Sequence, residues 1–117
     1  MLSKIGKTLR GPFQAVVTLI QDGEDIDEMD TDPRGEFVFG FLQPGEYKLR
    51  IFAIGYIPAK TIPFQIEKGT IGSMFLRIEK ILGERSEERS KELFKKMMEE
   101  GWERPEIEIY WPPAPVN

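Results

Sequence analysis

The sequence predicts a mainly β fold: a seven-stranded sandwich of two sheets over residues 1–83, then a helix and an extended tail over residues 84–117. Three observations carry this. Between Thr31 and Arg50, turn residues separate two short runs whose large apolar side chains fall on alternate positions, as strands with one buried face require. A β-branched run, Ala15-Val16-Val17-Thr18-Leu19-Ile20, precedes them. After Gly83 the character changes at once to residues that favour helix.

Residues 1–10 are polar and basic with sparse apolar positions, suited to a short edge strand or an arm. Gly11-Pro12 breaks the chain before the β-branched run. Gln21 to Asp32 reads as an acidic connector; Ile26 and Met29 are its only large apolar residues, so any strand there is short and at an edge, where its charge deters unwanted pairing. Pro33 and Gly35 make Asp32 to Gly35 a tight turn. Phe37 and Phe39 then form one strand, and after the Pro44-Gly45 turn Tyr47, Leu49, Ile51 and Ala53 line the next. Thr61 to Ile66 is a further strand whose Pro63 sits where no ladder donor is needed. Met74 to Ile81 is the last of the sandwich. The expected core is Ala15, Val17, Leu19, Phe37, Phe39, Leu42, Tyr47, Leu49, Ile51, Leu76 and Ile78.

The run from Thr31 reads T-D-x-x-G-x-F-x-F-x-x-L-x-P-G-x-Y-x-L, with Gly55-Tyr56 a few residues on. It resembles the carboxypeptidase regulatory-like domains, whose fold is a transthyretin-like (prealbumin-like, Ig-like) β-sandwich, and Ala15, Val17 and Leu19 match that group's early strand. The resemblance covers about residues 11–81 and implies a fold, not an activity. Related adhesin repeats form a Lys–Asn isopeptide bond. Lys4 or Lys7 would supply the lysine here, but the last strand lacks an asparagine and Asn117 is the only one in the chain, so no crosslink is expected.

Beyond Gly83, Ser86 is suited to cap a helix, with Glu87 and Glu88 at its positive end and Gly101 as its stop. Leu93 and Met97, and Phe94 and Met98, are four apart and form one apolar stripe, which Trp102 extends. Glu106 to Trp111 alternates at period two, and Pro112 to Pro115 continues as an extended tail.

Composition narrows the function. With neither cysteine nor histidine, the chain has no thiol nucleophile or thiolate ligand and lacks the commonest general base, so no catalytic residue and no cofactor is expected. The acids of residues 22–32 do not follow the spacing of a calcium loop, and no metal site is expected. Paired carboxylates are frequent by chance in so acidic a chain. A net charge of −4 argues against nucleic acid. No apolar run is long enough to span a bilayer, and the N-terminus has no signal-peptide core.

The sharpest expectation concerns the apolar positions of the C-terminal segment: Leu93, Phe94, Met97, Met98 and Trp102 on the helix, and Ile107, Ile109, Tyr110 and Trp111 beyond it. They must be covered, either by the chain's own sandwich or by protein: a neighbouring copy or another subunit. The reading is a non-catalytic structural or interaction module, working in a homo-oligomer or larger assembly such as a virion or surface filament. A cut after Gly83 is then expected to leave a folded sandwich that no longer associates. The alternative is a carbohydrate-binding or accessory domain of a surface protein or enzyme. Its candidate sugar platforms are Phe52, Tyr56, Trp102, Tyr110 and Trp111.

Overall fold

The computed structural model describes residues 7–8, 15–33, 35–40, 42–67, 75–102 and 104–110. The protein is mainly β, with an open five-stranded antiparallel sheet, a smaller three-stranded sheet and one helix. In chain order the elements are β1 (Lys7–Thr8), β2 (Val16–Gln21), β3 (Glu24–Asp30), β4 (Gly45–Phe52), β5 (Ala59–Lys60), β6 (Phe64–Ile66), β7 (Phe75–Leu76), α1 (Ser86–Glu100) and β8 (Ile109–Tyr110). This differs strand by strand from the seven expected.

Residues 21–32 are not a connector. Asp22 and Gly23 both have positive φ, 52° and 79°, which marks the two-residue turn of a tight hairpin. It sets Gln21 opposite Glu24 and runs β3 along β2 as far as Val16 opposite Asp30, with a bulge between Leu19 and Ile20. At seven residues β3 is the longer strand of this hairpin and forms the outer edge of the sheet, in the order β3-β2-β4-β5. The N–H of Glu28 donates to its neighbour's carboxylate, Asp27 Oδ1, at 2.8 Å. That occupies one edge donor, and the acidic residues of β3 discourage a second strand.

Phe37 and Phe39 do not form a strand among the described residues, yet both are buried at 2% exposure. The Asp32 turn is present: Gly35, with φ 79°, donates to the Asp32 carbonyl at 2.8 Å, and the Glu36 N–H reaches Asp32 Oδ1 at 2.9 Å. Residues 37–40, which follow, lie in no strand among the described residues, and their two rings join the core.

Of the expected strand Thr61 to Ile66 only Phe64–Ile66 is a strand, β6; a second short strand, β5, precedes Thr61, and both lie beside β4. β5 pairs Lys60 with Arg50, and β6 pairs Phe64 with Tyr47, so three residues, 61–63, face two, 48–49. Pro63, with no N–H, falls inside this bulge. Thr61 repairs the ladder. Its N–H donates to the Leu49 carbonyl at 2.8 Å, and its fully buried hydroxyl accepts the Leu49 N–H at 2.9 Å.

One hydrophobic cluster draws on both sheets. Val17 and Leu19 of β2, Tyr47, Leu49 and Ile51 of β4, and Leu76 of β7 join Phe37, Phe39 and Ile78. Every residue of the expected core is buried except Leu42, which is partly buried against it. The small sheet runs β1-β7-β8, with β1 parallel and β8 antiparallel to β7. Residues 7–8 thus supply a short strand, and the alternating segment before Trp111 supplies another; Met74, Trp111 and the proline tail at residues 112–115 lie outside the described residues.

Helix α1 starts one residue earlier than a Ser86 cap requires: Arg85 occupies the cap position without a side-chain bond, and Ser86 is already helical. Gly101 ends it, donating to the Met97 carbonyl at 2.9 Å. Among the described residues, no helix is long and apolar enough to cross a membrane.

Candidate functional site

The helix packs on its own sheet. Ser90, fully buried, accepts the Gly55 N–H at 2.9 Å and donates to the Glu87 carbonyl at 2.7 Å, so one serine ties α1 to the turn that follows β4. Phe94 stacks on Phe52 with ring centroids 4.5 Å apart, and Met97 is buried. Leu93 is half-buried, whereas Met98, one position further round the helix, is 48% exposed. The predicted stripe therefore divides, with most of it facing the protein's own sheet and Met98 facing solvent.

The segment after the helix is also held within the chain. Ile107 forms a parallel bridge with Thr61: its N–H donates to Lys60 at 2.9 Å, and its carbonyl accepts from Ile62 at 3.0 Å. Two residues later Ile109 pairs with Leu76, and Tyr110 with Phe75. Residues 107–110 thus lie along β5 of the large sheet and then β7 of the small one. Ile107 and Ile109 are both half-buried against the core. Glu106 adds an ion pair with Lys48.

This path borders a cleft of about 380 Å³. Three walls bound it: residues 57–60, residues 77–79, and Trp102 with residues 104–108. Backbone hydrogen bonds stitch their corners. Ile57 donates to Glu79 at 2.8 Å, Ile107 is held at Lys60 and Ile62, and Leu76 pairs with Ile109. Buried Pro58, Ala59 and Ile78 back the walls, and half-buried Ile107 gives them apolar surface. Half-buried Trp102 lines the cleft, with Lys60 Nζ 5.6 Å from its ring centroid, a cation–π distance. Of the C-terminal residues expected to act, the structure brings Trp102 and Ile107 together here. Trp111 lies outside the described residues.

Sequence reasoning misses this cleft because its walls come from three segments far apart in the chain. It also misses a second surface feature. Ile81 donates to the Gly55 carbonyl at 2.8 Å, and the residues next to that bond, Ile54 and Leu82, are 44% and 85% exposed. A signal was present: in Ile81-Leu82, two adjacent apolar residues of an extended segment point to opposite sides, so one is left outward.

On the outer face of the large sheet, Arg50 spans from β4 to β3 and grips Asp25 with both terminal nitrogens, at 3.1 and 2.6 Å. Its Nε is buried without a hydrogen-bond partner. A hollow of about 220 Å³ lies beside it, lined by Val16, Thr18, Glu28, Phe52 and Phe94. Thr18 donates to Glu28 there at 3.1 Å. The hydrogen bond from Arg50 holds the Asp25 carboxyl below its ordinary value of 3.8; burial opposes this, and the charges of Arg50 and Lys60 add to it. A lowered carboxyl contributes stability that is present above the unfolded value and lost as pH falls through the folded one. Asp25 is half exposed, so the contribution is small. The Asp25→Asn protein is expected to melt below the wild type near pH ~6, the gap closing below pH ~4. Melting midpoints across that range check it; a gap unchanged at low pH would show that the pair does not titrate with folding.

Among the described residues, no three carboxylates converge to hold a metal ion. Comparison of the chain with protein-family models, with curated proteins and with solved structures gives no match.

Proposed function

We propose that this chain is a non-catalytic structural module acting through protein–protein contact, as a subunit of a homo-oligomer or larger assembly. The framework we infer is a transthyretin-like sandwich of the carboxypeptidase regulatory-like kind. The joint burial of Phe37, Phe39, Tyr47 and Leu49, all signature positions, supports it. The observation that carries the assembly reading is the corner where Ile54 and Leu82 stand out beside the Gly55–Ile81 hydrogen bond. Leu82 is 85% exposed. Covering such a side chain is worth roughly 1.5–3 kcal/mol, and adjacent exposed apolar residues mark contact surfaces more often than single ones. A second copy meeting this corner about a two-fold axis places Leu82 against its own equivalent.

Sedimentation velocity tests the reading. The wild type is expected to sediment as a species larger than the 13.5 kDa monomer, and Leu82→Glu to shift it toward monomer with an unchanged melting midpoint. A wild type that stays monomeric at high concentration would remove self-assembly.

A further inference from the structure

We propose that the cleft between residues 57–60, residues 77–79, and Trp102 with residues 104–108 is a binding site for a neutral sugar ring of an oligosaccharide, with Trp102 as its aromatic platform. The site does not depend on self-association. Its walls are joined by backbone hydrogen bonds at Ile57–Glu79 and around Ile107, and by the Leu76–Ile109 pairing. The frame is therefore set before a ligand arrives, and little ordering has to occur on binding. Its volume, about 380 Å³, lies within the range of small-molecule sites.

The lining selects the chemistry. Three cations, Lys60, Arg77 and Arg104, and three carboxylates, Glu79, Glu106 and Glu108, share the walls. A ligand of either charge meets groups of its own sign here, and Glu106 is already paired with Lys48. A wholly apolar group would strip water from these charges without replacing their hydrogen bonds. Hydroxyl groups both donate and accept, so they satisfy guanidinium and carboxylate alike. Half-buried Ile107 and the half-buried Trp102 indole ask for a ligand with one apolar face. A pyranose combines that face with a rim of hydroxyls. Lys60, placed over the indole, steadies the ring against rotation.

The chain has two tryptophans, so Trp111→Phe leaves Trp102 as the sole fluorescent indole. This full-length variant is titrated with cellohexaose, maltohexaose and N-acetylchitohexaose, and separately with polygalacturonate and an uncharged serine- and proline-rich peptide. At least one neutral oligosaccharide is expected to shift Trp102 emission saturably, with a Kd of about 1 mM or below. By calorimetry in the otherwise native chain, Trp102→Ala is expected to abolish that binding and Trp102→Phe to weaken it several-fold. Arg104→Ala, at an exposed position, keeps the fold and also weakens it. No response to any neutral oligosaccharide overturns the proposal, as does a response confined to polygalacturonate or the peptide. Binding that survives both Trp102→Phe and Arg104→Ala undiminished overturns this location for it.

Discussion

Replacing Phe39 by alanine is expected to cost about 3–5 kcal/mol, the range for a large aromatic removed from a packed core. Domains of this size have roughly 5–15 kcal/mol in all, so the variant should be largely unfolded at moderate denaturant. The physical reason is local. Phe39 is 2% exposed and meets Phe37 edge-on, with centroids 5.9 Å apart at 67°. Among the described residues, 37–40 belong to no strand, so the two rings carry the packing of this segment against the sheet. Val38, between the two rings, is 51% exposed, and Val38→Ala should change stability by no more than about 0.5 kcal/mol. Urea unfolding of the pair tests this. If Phe39→Ala melts within a few degrees of the wild type, the ring does not occupy the core position described.

The second large effect is expected from cutting the chain after Gly83. The packing of residues 84–110 sets an expectation opposite to that drawn from the sequence, which left a folded sandwich. The cut removes the Ser90 hydroxyl that accepts the Gly55 N–H, a hydrogen bond worth about 0.5–1.5 kcal/mol net. It uncovers Phe52 by taking away Phe94, and takes Ile107 from the edge at Lys60 and Ile62. Met97 and the half-buried Ile107 and Ile109 add about 1.5–3 kcal/mol for each side chain fully buried, less for the partly exposed pair. Together these terms rival the stability of a whole small domain. Far-ultraviolet circular dichroism on heating should show a cooperative transition for the full chain and none for residues 1–83. A truncated protein that melts cooperatively near the parent midpoint would show that helix and tail only decorate a self-sufficient domain.

Much of the core was legible, because period-two alternation is a direct image of a half-buried strand. Val17 and Leu19 on β2, and Tyr47, Leu49 and Ile51 on β4, could be assigned to one face from their spacing alone. The helix was legible too, from its formers and from Gly101. β3 was not. Its stability comes from a backbone ladder with β2 and from the reach of Arg50 to Asp25, and neither leaves a mark in a run as polar as Glu24 to Asp30. The Asp22-Gly23 pair was the available clue, since that dipeptide favours the positive φ values of a tight hairpin. Phe37 and Phe39 show the converse. Burial was correctly read from alternation, but alternation does not say whether a neighbouring strand exists to pair with. The direction taken by residues 102–110 depends on which edges stand open in the finished fold, and no local pattern encodes that.

The way residues 107–110 are seated bears on how the molecule is made. Ile107 takes its place at Thr61, and β8 at β7, only once residues 107–110 have been translated. β1, the first described element, must likewise wait for β7 and joins it in parallel. Contacts so distant in sequence form late and slowly, since a large loop has to close before any of them is rewarded. On the ribosome, the β2–β3 hairpin and β4 are complete while the outer side of β5 still lacks its neighbour. The growing polypeptide thus passes through an interval in which its Lys60 carbonyl and Ile62 amide are open to the wrong strand, a natural point for a chaperone to be needed.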